Sequence, residues 1–247
     1  MLPILAMRFT QRRTERPREN MFKGLSTGFS YAFGFPPIRA LLLLLALVGF
    51  AAMPYNVLLP VFAKDVLHGD ANTFGFLVAA SGLGALLGAI HLASRKSVRG
   101  LARIIVITSL SAGAGLAVFA LSRFLVLSFT MMLVVGYATI MLLASINTML
   151  QTIVDEDKRG RVMSFYSMAF LGMFPIGSLL AGSVASSIGT PNTVMLGGII
   201  TLIGGAIFAK KLPAIRALIR PIYVRLGIIQ EVTAGIDSAT QLTEPSG

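Results

Sequence analysis

Residues 40–63, 74–93, 104–121, 124–149, 162–188 and 191–209 contain no Asp, Glu, Lys or Arg, and the charges collect between these runs. Each run is near the ~20 apolar residues, about 30 Å of helix, that cross the hydrocarbon of a bilayer. Barrel strands would alternate apolar and polar positions over about 10 residues, whereas these runs are apolar on all sides. The pattern predicts six transmembrane helices and an all-α polytopic membrane protein. A short apolar stretch at 2–7 precedes Arg8, Arg12, Arg13, Arg16 and Arg18, the reverse of the order in a secretion signal. We read it as the end of a longer apolar helix whose earlier part is absent from this chain.

The flanks suggest three regions. Residues 1–37 comprise that helix end and a linker in which Phe22, Leu25, Phe29 and Phe33 share one helical face, as in an interfacial helix. Residues 38–211 form the six-helix domain. In 212–247, Ile215, Leu218, Ile219 and Ile222 oppose Arg216 and Arg220, which suits an anionic leaflet until Pro221 interrupts the helix; the polar tail 230–247 is expected to be disordered. A solvated linker helix is the alternative for either amphipathic segment.

Composition agrees with a membrane protein: 55% hydrophobic and 13% charged residues, with a mean hydropathy of +0.81, where soluble domains carry roughly 25% charged residues. A net charge of +11 would suggest nucleic acid in a soluble protein. Here all 21 basic residues except Lys64 and Arg123 fall on one side of the six runs. By the positive-inside rule both termini are cytoplasmic, in a multi-pass plasma (inner) membrane protein, and no nucleic-acid partner is expected. The chain has no cysteine, and His68 and His91 form no local metal motif. Neither metal nor cofactor is expected, and no nucleophile or paired acid inside the runs points to an enzyme.

Several residues are more than lipid requires. Pro54 and Pro60 flank Tyr55 and Asn56 in the first run. Proline frees a carbonyl, so this helix is either kinked with Phe50, Tyr55 and Asn56 facing a substrate path, or kinked for packing alone. Ala80, Gly84 and Gly88, and later Gly177 and Gly182, suit close helix packing. His91 is a proton shuttle or simply an interfacial histidine. Asn147 and Gln151 share a helix face and, with Tyr137, extend the candidate path. Asp155, Asp157, Arg159 and Arg161 make a turn in which acids opposing a helix C-terminus pair with nearby arginines, as a cytoplasmic latch.

Three segments resemble a known family. They are Pro54-Tyr-Asn-Val-Leu-Leu-Pro60, Ala80-Ser-Gly-Leu-Gly-Ala-Leu-Leu-Gly88, and Asn147 through Arg159-Gly-Arg161-Val-Met-Ser164 to Pro175-Ile-Gly177-Ser-Leu-Leu-Ala-Gly182. The sequence resembles the major facilitator superfamily, in its branch of bacterial enterobactin-exporter-like, transmembrane secretion effector proteins. The resemblance covers residues 24–211 and only the C-terminal six-helix half of such a transporter. It implies two three-helix repeats, an efflux function by alternating access on a siderophore- or drug-like small molecule, and an inner gate at Asp155, Asp157, Arg159 and Arg161. The partners it implies are the lipid bilayer, a missing N-terminal half or a second copy, and protons as a candidate coupling ion. The runner-up readings are a self-pairing half-transporter and a membrane interaction or regulatory protein without transport.

Overall fold

The computed structural model describes residues 30–95 and 97–229. The expected helix end at 2–7, most of the Phe22–Phe33 face and the polar tail lie outside the described residues. Six helices are long and apolar enough to span a membrane: α1 (Pro36–Val66), α2 (Ala71–Ala93), α3 (Leu101–Leu121), α4 (Leu125–Ile153), α5 (Glu156–Ile188) and α6 (Thr190–Arg225). No strand occurs among the described residues, and the chain is an all-α polytopic membrane protein.

The helix ends differ from the apolar runs for physical reasons. α2 starts at Ala71 because the Asp70 carboxylate accepts the Thr73 N–H at 3.0 Å, capping a donor that the helix leaves open. His68 just before it sits at φ 51°, the left-handed turn that brings the chain round from α1. α5 starts at Glu156, not at Val162: only Val154 and Asp155 separate it from α4. Glu156 and Asp157 therefore occupy the first turn of α5, where the helix dipole favours acids. This corrects the expectation that they oppose the α4 C-terminus.

α6 also overturns an expectation. Pro221 does not interrupt it; one helix runs from Thr190 to Arg225 through both Pro213 and Pro221. Each proline removes one backbone donor, and burial of Ile215, Ile219 and Tyr223 in the core holds the helix on course. Its length of about 54 Å exceeds the hydrocarbon thickness, and its last turns meet the start of α3 and the end of α4.

α1 is built in pieces. Ordinary helix over Pro36–Leu47 gives way to a π turn at Val48–Ala52, resumes over Tyr55–Val61 and ends in a second π turn at Phe62–Val66. In the first π turn the Met53 N–H bonds the Val48 carbonyl, five residues back, just before Pro54. Pro54 has no N–H to give the Phe50 carbonyl.

Packing follows the exchange of residues in α1–α3 for those in α4–α6. α2 packs on α4 as α5 packs on α1, α3 packs on α4 as α6 packs on α1, and α3 packs on α6 across the centre. Small residues set each crossing. A Cβ on Gly84 would overlap the Leu133 carbonyl oxygen, one on Gly136 the Ser81 carbonyl oxygen, and one on Gly177 the Phe50 carbonyl oxygen. At the centre, Gly113 and Gly198 face each other, each Cβ position 2.8 Å from the other's carbonyl oxygen. Gly88 likewise abuts the Tyr137 carbonyl of α4. Gly182, expected beside these at a packed crossing, has nothing within 4 Å.

Two predictions arise here. Gly84→Leu has no room without parting α2 from α4, and overpacking of this kind costs about 1–3 kcal/mol or more; Gly182→Ala should leave stability unchanged or slightly raised. Thermal unfolding of the detergent-purified protein distinguishes the two. Separately, Asp70→Ala should lower the melting temperature and Asp70→Ser should restore it. The Thr73 N–H and the Asn72 amide hold the Asp70 carboxyl below its ordinary pKa. The cap therefore contributes fully above about pH 4 and is lost as pH falls below that, and melting curves against pH should show this loss in wild type only.

Candidate functional site

Along α1, the Pro54 kink opens a groove of about 210 Å³ against α5 and α6, with Phe50, Pro54, Gly177, Thr193 and Gly197 among its lining residues. Glycines make it possible: Gly177 of α5 sits on the Phe50 carbonyl and Gly197 of α6 on the Ala51 carbonyl. A bulkier residue would fill the space beside the backbone that proline leaves without its usual donor. Just beyond, the buried Tyr55 hydroxyl lies 3.2 Å from the Ser81 hydroxyl of α2. Asn56 is exposed, its amide donating to the Met53 carbonyl at 3.0 Å.

α4 carries the second set. Tyr137 hydrogen-bonds His91 of α2 through its hydroxyl and Nδ1. Gln151 donates to Asn147 on the same helix face, and Tyr166 of α5 donates to the Leu143 carbonyl at 3.2 Å. Among the described residues no hydrogen bond joins Tyr55 or Asn56 to Tyr137, Asn147 or Gln151, so the path candidates form two separate groups, one on α1 and one on α4. Tyr55 and Tyr137 each tie their helix to α2, through partners that spacing alone does not single out.

The α4–α5 turn gathers charge. Asp155 accepts from Arg225 at the end of α6 at 3.4 Å, and its other oxygen accepts from the Tyr31 hydroxyl at 3.2 Å. Lys158 stands 4.4 Å over the Tyr31 ring, a cation–π contact. Burial, and then the nearby negative charge of Asp155 and Asp157, pushes the Tyr31 phenol above its ordinary pKa, so it keeps its proton and remains a donor at neutral pH. Arg159 reaches Glu156 at 4.0 Å one turn away, while its Nε is buried without a hydrogen-bond partner. Arg161 is half-buried on the same helix. Both ion pairs are substantially exposed, a setting worth about 0–1 kcal/mol each.

The sequence places Asp155 in a charged turn and allows it an arginine from elsewhere. It does not single out Arg225 or Tyr31, which lie 70 and 124 residues away in the chain. The one available signal was the surplus of arginines after the sixth run, with no acid of their own before residue 230.

Comparison with known proteins sets this geometry in a family. Residues 1–221 match the model of the family MFS_3, described as transmembrane secretion effector. The chain is 29% identical over 203 residues to the enterobactin exporter EntS of Escherichia coli O1:K1, covering 81% of this chain and 48% of that protein. It is 24% identical over 201 residues to the multidrug efflux pump Tap of Mycolicibacterium fortuitum, with 81% and 48% covered. Against the uncharacterized MFS-type transporter YvqJ of Bacillus subtilis it is 27% identical over 158 residues, with 64% and 37% covered. The chain spans about half the length, or less, of the curated relatives it matches. No solved structure matches it significantly. With a family match over most of its length and six helices that can span a membrane, this multi-pass membrane chain belongs to the transmembrane secretion effector family of major facilitator superfamily transporters.

Proposed function

We propose that the chain acts as one six-helix half of an exporter of small, siderophore- or drug-like molecules, working by alternating access against a second six-helix unit. The substrates follow from what the relatives' names say of EntS and Tap. The observation that carries the reading is α5. Only 6% of its most apolar stretch is buried within the chain, against 56% for α1. Its open side is not a uniform surface of leucine and isoleucine, for Ser164, Ser167, Pro175, Gly182, Ser183 and Ser186 are all exposed on it. Ser164, Ser183 and Ser186 turn their hydroxyls back to their own helix, which leaves an apolar face, with Met168, Leu171 and Leu179 exposed beside them, suited to another helix. α2 is similar, with Gly75 and Gly82 open to space.

In this reading Phe50, Tyr55 and Asn56 on α1, and Tyr137, Asn147 and Gln151 on α4, face the path between the halves. An exposed amide such as Asn56 at membrane depth suits a watery cavity. The basic ends of the helices, with Arg95, Arg99, Arg103, Lys158, Arg159, Lys210 and Lys211 on one side and only Lys64 and Arg123 on the other, favour a cytoplasmic location for both ends of the bundle. Asp155, Asp157, Arg159 and Arg161, joined by Arg225 and Tyr31, would then form the inner gate.

Efflux of a fluorescent lipophilic dye tests the proposal. Cells expressing the chain together with a six-span partner half encoded beside it should lower dye accumulation, and the chain alone should not. Efflux by the chain alone, with cross-linked dimers in the membrane, would replace this reading by the self-pairing one; no efflux in either case would leave a non-transporting interaction protein. For the gate, Asp155→Ala and Arg225→Ala should each reduce efflux at least severalfold while shifting thermal stability by no more than about 1 kcal/mol. The double variant should be no worse than either single one, because both remove the same pair. Full efflux in both single variants would remove the gate assignment.

A further inference from the structure

A cavity of about 300 Å³ opens where the start of α3, the end of α4 and the last turns of α6 meet. Leu101, Met149 and Ile219, all buried core residues, give it an apolar wall, and Arg99, Arg216 and Arg220 stand at its rim. Among the described residues no carboxylate lines it. Arg99 is committed elsewhere: its Nε donates to the Ile228 carbonyl at 2.6 Å and a terminal nitrogen bonds the same oxygen, which folds the chain after α6 back over the cavity. Arg216 and Arg220 are different. They lie one turn apart on α6, exposed, and neither has an ion pair or hydrogen bond among the described residues. Like charges at this spacing repel, and an anion held between them turns the repulsion into attraction.

The depth of the pair narrows the choice of anion. Arg216 lies two turns past Ala209, where the charge-free run of α6 ends. Helical side chains lean toward the helix N-terminus, which here is toward the bilayer, so the two guanidinium groups return to the level of the headgroups. The apolar wall beneath them, Leu101 of α3, Met149 of α4 and Ile219 of α6, belongs to spanning helices. A free inorganic anion would use the arginines and leave this wall wet. A phosphate that carries a hydrocarbon tail uses both.

We infer that this cavity binds an anionic phospholipid, its phosphate diester between Arg216 and Arg220 and the first methylenes of an acyl chain over Leu101, Met149 and Ile219. Guanidinium forks match phosphate oxygens in pairs, and basic residues near a membrane surface favour anionic lipid. The inference goes beyond the transport proposal and does not depend on it, since it requires only that the bundle stand in a bilayer.

Native mass spectrometry of the purified full chain, in micelles offered equal phosphatidylglycerol and phosphatidylcholine, tests it. The wild type should retain phosphatidylglycerol preferentially. Arg216→Gln with Arg220→Gln should reduce that preference roughly 20–30-fold, and either change alone about fivefold. A charge-matched control, Lys210→Gln with Lys211→Gln, removes two cations of the same helix from outside the cavity and should keep most of the preference. Millimolar inorganic phosphate should not displace the lipid. Equal retention of both lipids by the wild type would overturn the inference, as would an equal loss in the lysine control, which would mean a diffuse basic surface. Displacement by phosphate would make a soluble phosphate compound the ligand instead.

Discussion

Direct contact between helix backbones at glycine is the constraint on which the rest of this structure depends. In lipid there is no hydrophobic drive to bring apolar helices together, so association rests on close packing. Gly84 against Leu133, Gly136 against Ser81, Gly177 against Phe50 and Gly113 against Gly198 put backbone on backbone at the crossings. They fix where α2 meets α4, where α5 meets α1 and where α3 meets α6. The positions of Tyr55, Tyr137 and the α4–α5 turn then follow. Gly84 and Gly177 make equivalent contacts in the two halves of the bundle, which is how a pair of three-helix repeats of opposite direction is expected to pack.

The same constraint explains which faces are left open. α1, α3, α4 and α6 bury one another, while α2 and α5 each spend a single narrow stripe on their contact. For α2 this stripe is Leu77, Ala80, Gly84 and Gly88, and for α5 after Gly172 it reduces to Gly177. The polar residues are distributed in keeping with this division. The buried hydroxyls of Thr108 and Thr201 bond to their own helices, whereas Asn56 stands exposed on α1 and the charges gather at the helix ends.

Much of the fold was legible in the sequence because charge cannot enter the hydrocarbon cheaply: six runs without a charge became six helices. The glycine spacing was legible too, but it did not separate Gly84 and Gly177, which touch a neighbouring backbone, from Gly182, which touches nothing. Spacing records which residues share a face and not which face finds a partner. The α4–α5 turn was misread for a related reason. Asp155 and Glu156 look like the end of one helix or the beginning of the next, and only a turn as short as Val154–Asp155 decides for the second. Pro221 misled because a proline's local cost was weighed without the burial of Ile215, Ile219 and Tyr223 that outweighs it. The contacts of Asp155 with Tyr31 and Arg225 join distant parts of the chain and left no local trace.

The π turns of α1 carry a consequence of their own. Each inserts one residue beyond the regular count, and one residue is about 100° of rotation in an α-helix. The segments before and after Val48–Ala52 are therefore out of phase, and α1 behaves as two short helices laid end to end with independently chosen azimuths. Across this junction the Phe50 carbonyl meets Gly177 of α5 and the Tyr55 hydroxyl reaches Ser81 of α2, so the two neighbours of α1 are engaged by separate segments.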